Sequence, residues 1–137
     1  MNLIKIEYSA LNSRQKETYN FQKVSSILAD YGFATIKLSD DWQGADFIAQ
    51  HINGETFLKV QLKSRLTFSR KYQRKNIFIC FPHKQNWYLI NHDEVLDIFL
   101  VKYYRNMARS ESWRIKGEFH WGVLSKEHIE LLAKYQL

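Results

Sequence analysis

Between Gly44 and Lys63 apolar and polar positions group into two runs of β-forming residues around Asn53-Gly54, which is a strong short-range signal for a β-hairpin. The pattern predicts strands at about Ala45 to Ile52 and Glu55 to Lys63, joined by a two-residue type I′ turn that pairs Ile52 with Glu55. That register sets Asp46 directly opposite Gln61, on one face of the sheet. Lys63, two residues beyond Gln61, projects from the same face. A carboxylate, an amide and an amine therefore meet at one end of the hairpin.

Helical periodicity precedes this hairpin. Phe21, Val24, Ile27, Leu28 and Tyr31 form one stripe of a helix from about Ser13 to Tyr31, capped by Asn12 or Ser13 and stopped at Gly32. Glu17 falls on the same stripe, which aims an acid along the inward side. Phe33 to Leu38 reads as a strand, and Ser39 to Gln43 as a loop. Within that loop Trp42 either packs or stacks on a base, and Asp40 and Asp41 are alternative acids. Asn2 to Tyr8 reads as a short edge strand or arm.

Beyond the hairpin, residues 64–75 read as a polar, basic segment. Strands follow at about Asn76 to Pro82 and Trp87 to Ile90, with a turn between them. A helix opens at Asn91 or His92, with Asp93 and Glu94 in its first turn where the macrodipole favours acids. Residues 105–120 have no clear period. Ser125 caps a last helix, Lys126 to Tyr135. The order predicts one α/β domain over residues 1–137, a sandwich with a central mixed β-sheet flanked by helices.

Composition narrows the classes. A hydrophobic fraction of 45% and an aromatic content of 15% fit a packed globular chain. The single Cys80, inside Ile77 to Phe81, excludes an internal disulfide or a thiolate cluster and reads as a buried small hydrophobe. No signal peptide or membrane-length apolar run is present, so a cytoplasmic chain without membrane contact is expected. The formal charge of +6 points toward a polyanion. Arg65, Arg70, Lys71, Arg74 and Lys75 follow the hairpin directly, with Phe68 and Tyr72 interleaved, and are the expected phosphate contacts. Lys102, Arg105, Arg109, Arg114 and Lys116 form a second basic cluster among Tyr103, Tyr104 and Trp113. The five His show no metal-ligand spacing, although His83 or His120 could serve as an acid near the site. No phosphate-binding Gly loop, nucleophile elbow or zinc pattern occurs.

These residues bound a chemistry. Cutting a phosphodiester requires a held metal ion, an oriented water and a group that meets charge building on phosphorus. Mg²⁺ takes hard oxygen ligands and keeps several waters, so few protein donors suffice. Asp46, the Gln61 amide and the Leu62 carbonyl supply oxygens, and Lys63 supplies the cation.

Glu17, then Gly44-Ala45-Asp46 before an apolar strand, then Val60-Gln61-Leu62-Lys63-Ser64, resembles the PD-(D/E)XK nuclease superfamily, with its restriction-endonuclease-like fold. The resemblance covers residues 13–90, with Ala45-Asp46 in place of Pro-Asp and Gln61 in place of the acid before x-Lys. It implies a Mg²⁺-dependent DNA endonuclease of restriction, repair, recombination or mobile-element type, with Mn²⁺ as a substitute. By the same resemblance Asp46, Gln61, Lys63 and Glu17 are catalytic, and Asp46, Gln61, Glu17 and the Leu62 carbonyl hold the metal. A homodimer, or a larger targeting partner, is expected because two strands need two sites. The alternative is a catalytically inactive nuclease-fold module that binds DNA or a protein partner.

Overall fold

The computed structural model describes residues 1–42 and 44–137, the side chains of Asp41 and Trp42 excepted. Helix α1 (Ser13–Asp30) opens on a capping box. The Asn12 side chain accepts from the Gln15 N–H, and the Gln15 side chain accepts from the Asn12 N–H. Gly32, at φ +82°, ends it in the left-handed conformation that favours glycine. Val24 and Leu28 are its buried residues, Phe21 and Ile27 are half-buried, and Tyr31 is exposed.

Five strands form the main sheet, in the order β1 (Phe33–Trp42), β2 (Ala45–His51), β3 (Phe57–Leu62), β5 (Ile77–His83) and β6 (Asn86–Asn91). The β3–β5 pair is parallel and the other pairs are antiparallel, so the sheet is mixed as expected. Helices flank it. The first strand runs past the expected stop at Leu38, with an irregularity in its pairing between Lys37 and Trp42. The exposed Asp40 belongs to this strand. The readings placed on Gln43 and on the side chains of Asp41 and Trp42 lie outside the described residues.

Each face of the sheet has its own core. On one, Val24 and Leu28 of α1 pack on Phe47, Ala49, Val60 and Cys80. Cys80 is buried as expected, and burial pushes its thiol up to about 12. On the other face, Ile79, Phe81 and Ile90 meet α2 (His92–Lys102) through Val95, Leu96 and Phe99. The run Ile77 to Phe81 is apolar throughout because β5 is covered on both sides.

The second face carries an element that the sequence pattern did not suggest. Strand β4 (Leu66–Ser69) is wholly buried and pairs antiparallel with β7 (Glu118–Trp121) as a separate two-stranded ribbon. Part of the basic segment is therefore core: Leu66, Phe68 and Tyr72 belong to the second cluster. Residues 105–120 resolve into α3 (Tyr104–Ala108), a π-helical turn (Ser112–Lys116) and most of β7. Helix α4 (Lys126–Leu132) starts on the expected Ser125 cap but ends before Tyr135, in a 3₁₀ turn. Among the described residues no helix is long and apolar enough to cross a membrane.

Candidate active site

The β2–β3 pairing aligns Phe47 with Val60, Ile48 with Lys59 and Gln50 with Phe57, and one further step places Asp46 opposite Gln61. The predicted register is correct, but the turn is different. The His51 N–H donates to Thr56, and Ile52 to Glu55 form a four-residue loop. Only Gly54 in it has a positive φ, so Asn53 does not adopt the type I′ geometry. Instead its side-chain oxygen accepts from the N–H groups of Glu55 and Thr56. Lengthening the loop equally on both strands leaves the register intact.

The β2–β3 ladder ends at Phe47 and Val60, and the Asp46 side chain takes over from backbone pairing. Its Oδ2 accepts from the Leu62 N–H at 2.8 Å. The pleat explains why that donor is available. Lys63 turns its N–H to the Cys80 carbonyl on β5, so Leu62 one residue earlier turns its N–H and C=O toward β2. Asp46 thereby grips the strand between Gln61 and Lys63.

Gln61 is only 8% exposed, and its Oε1 is buried without a hydrogen-bond partner among the described residues. An orphaned carbonyl oxygen in that position is costly unless something coordinates it. Lys63 is half-buried, and its ammonium lies 5.7 Å from the centre of the Tyr72 ring. Gly44 makes room for that ring: at φ +89°, a Cβ there would fall 2.9 Å from Tyr72.

Glu17 is placed differently from the expectation. It is exposed, not inward, because full burial along α1 begins only at Val24. The helix's first turns overhang the end of β3, where Glu17, Asn20, Leu62, Lys63 and Trp87 line a cleft of about 270 Å³. The structure thus brings Glu17 to the Lys63 end of the site, while the β2–β3 register, carried one step on, sets Asp46 opposite Gln61.

Among the described residues no three His, Cys, Asp or Glu side chains cluster to hold a metal. The donors present are one carboxylate, the orphaned Gln61 oxygen and the Leu62 carbonyl edge. That set fits a hard cation that keeps several waters, such as Mg²⁺, and does not fit zinc.

The five expected phosphate contacts have unlike surroundings. Arg70 stacks 4.8 Å from the Trp113 ring centre and donates to the Arg114 carbonyl, so it knits β4 to the π-helical turn. Lys71 lies 3.8 Å from Glu118. Arg65, Arg74 and Lys75 are exposed.

Two left-handed residues, Arg74 and Asn76, shape the end of this segment. It is held by a histidine that the sequence placed only at a helix start and that proves fully buried. Buried His92 accepts from the Ser69 N–H through Nε2 and meets Asp93 through Nδ1, while Asp93 accepts from the Arg74 N–H. Burial holds His92 below its ordinary pKa, against the pull of Asp93. In the second basic cluster Lys102, Arg105, Arg109, Arg114 and Lys116 are exposed, but Trp113 is buried and Tyr103 half-buried.

No protein-family model matches the chain, and no curated protein matches it. Two solved structures are similar in part. One is Hjc, a Holliday junction resolvase from Archaeoglobus fulgidus, at 19% identity and a TM-score of 0.39, covering 51% of this chain and 74% of that one. The other is the bacterial homing endonuclease I-Ssp6803I, at 15% identity and a TM-score of 0.48, covering 84% of this chain and 78% of that one. Both likenesses are remote in sequence and partial in superposition.

Proposed function

We propose that this chain is a metal-dependent endonuclease acting on DNA, of the PD-(D/E)XK type in a Gln-x-Lys form. One observation carries the reading. Asp46 is bonded to the backbone between Gln61 and Lys63, opposite a buried amide oxygen that has no partner among the described residues. A structural polar cluster would satisfy that oxygen internally.

Asp46, Gln61 and the Leu62 carbonyl would hold Mg²⁺ or Mn²⁺, and Glu17 would add a carboxylate from the cleft side. The ion, when bound, supplies Lewis-acid polarisation of the scissile phosphate. Lys63 holds its ammonium over Tyr72, fixed at the strand end, where it orients the attacking water and meets charge developing on the phosphorane. Asp46 also fixes the backbone that carries Lys63. Arg65, Lys71, Arg74 and Lys75 grip the DNA backbone, and Arg70 supports the surface on which they stand. One compact site cuts one strand, so double-strand cleavage would use a second copy or a targeting partner.

The test is incubation with duplex, single-stranded and branched DNA in Mg²⁺, Mn²⁺ or EDTA. Cleavage in either metal and none in EDTA is the expected result. Binding without cleavage under all three conditions would identify a catalytically inactive DNA-binding module instead.

A further inference from the structure

The β4–β7 ribbon, invisible in the sequence pattern, brings His120 to the same end of the molecule as Lys63. Thr67 and His120 are register partners, and Thr67 Oγ1 lies 2.9 Å from His120 Nδ1. Thr67 is 2% exposed, and its hydroxyl donates to the Arg65 carbonyl at 3.0 Å. A hydroxyl has one proton, so Thr67 must accept from His120 Nδ1–H. Neutral His120 is thereby fixed with its proton on Nδ1 and a bare lone pair on Nε2.

The charges around that ring are mostly positive. Burial holds His120 below its ordinary pKa, Arg65 and then Lys63 lower it further, and Glu118 pulls it upward. Glu118 stands 3.8 Å from His120 Nε2 and also 3.8 Å from Lys71. Glu118 thus faces both His120 and Lys71, and the imidazole is 35% exposed. Arg65 extends the patch toward Gly122, its guanidinium within 3.6 Å of where a Cβ would stand. An anion entering here would meet Lys63, Arg65 and, once protonated, a second N–H on His120.

We propose that Lys63, Arg65 and His120 form a phosphate-binding subsite for the nucleic-acid backbone beside the Asp46–Gln61 site, an inference that rests on the nuclease reading. His120 is the proton-linked member. Free, it is neutral; with a phosphodiester bound, the added negative charge favours imidazolium, and Nε2–H donates to a phosphate oxygen. Binding therefore takes up a fraction of a proton, at most about half for a one-unit rise in pKa, which tightens it as pH falls.

The test follows the histidine ring ¹⁵N signals of the intact wild-type chain against pH in EDTA, where cleavage is off. Titrations are run alone, with inorganic phosphate and with a short DNA duplex, and His120 is identified by its loss in His120→Asn. Saturating duplex should raise the His120 pKa by about one unit, and wild-type affinity should tighten about tenfold as pH falls between about 8 and 5. His120→Asn should flatten that dependence, and Arg65→Ala should weaken binding at every pH and lower the salt slope by about one. A His120 titration unmoved by duplex, or an unchanged pH dependence in His120→Asn, overturns the subsite. Proton uptake without cleavage in Mg²⁺ would keep the subsite and remove the nuclease reading, so the two fail separately.

Discussion

Asp46 reaches across the end of the β2–β3 ladder and accepts the N–H of Leu62 at 2.8 Å, so one carboxylate both ends a sheet and presents the strand that carries Gln61 and Lys63. The two duties can be separated. In Asp46→Asn a side-chain oxygen can still accept from Leu62, whereas in Asp46→Ala that part-buried N–H loses its partner. Urea denaturation should show the Ala variant less stable by about 1–3 kcal/mol and the Asn variant closer to wild type. Cleavage should be lost in both.

Gln61 is the position at which charge can be added. Gln61→Glu should bind Mg²⁺ more tightly, because ligand charge sets affinity for hard cations. Without metal the same variant buries a second carboxylate opposite the first and should melt earlier than wild type in EDTA. Thermal melts with and without Mg²⁺ read both effects, and the metal-induced rise should be larger in the variant.

Lys63→Met retains an unbranched apolar stem against Tyr72 and removes only the charge. Its melting temperature should stay near wild type. Cleavage should fall by at least about two orders of magnitude, as when a group stabilising transition-state charge is removed. Single-turnover rates with saturating protein separate this loss from any loss of DNA binding.

The basic segment should divide by surroundings. The Arg74→Ala, Lys75→Ala double variant should weaken DNA binding and reduce its salt dependence, with the fold unchanged. Arg70→Ala should instead destabilise the protein, because the guanidinium stacks on Trp113 and its stem lies against Gly117. Fluorescence anisotropy across a salt series, beside denaturation curves, distinguishes the two outcomes.

Acid should loosen the segment as well. His92 is held below its ordinary value of 6.5, chiefly by burial, so the unfolded chain takes up the proton more readily. Stability is therefore present above about pH 6.5 and falls as pH drops below it toward the folded pKa. His120 and His128 are shifted in the same direction, each first by burial. His92→Gln should be less stable at neutral pH, since its fit to Ser69 and Asp93 is lost, but its stability should fall less steeply with acid. Denaturation at several pH values checks the slope.

Legibility in the sequence followed the range of the interactions. The Asn12 cap, the β2–β3 register and the Ser125 cap are local, and all three were readable. The register survived a wrong turn type because pairing depends on the loop growing symmetrically, not on its geometry. Strand β4 was hidden because Leu66–Ser69 is four residues between arginines, and its partner His120 lies 53 positions from Thr67. Glu17 was misplaced for a related reason: a helical stripe gives the phase of a side chain but not where along the helix burial starts. The Thr67–His120 pair is likewise a contact that only tertiary structure makes.

Metal binding tests the site most directly. Mn²⁺ titrated into wild type, Asp46→Asn and Gln61→Leu, followed by electron paramagnetic resonance of the free ion, reads occupancy without any DNA. One bound Mn²⁺ per chain in wild type, with binding weakened in both variants, is the expected result. Equal Mn²⁺ binding in all three proteins, or none in wild type, would contradict the assignment of Asp46 and Gln61 as metal ligands.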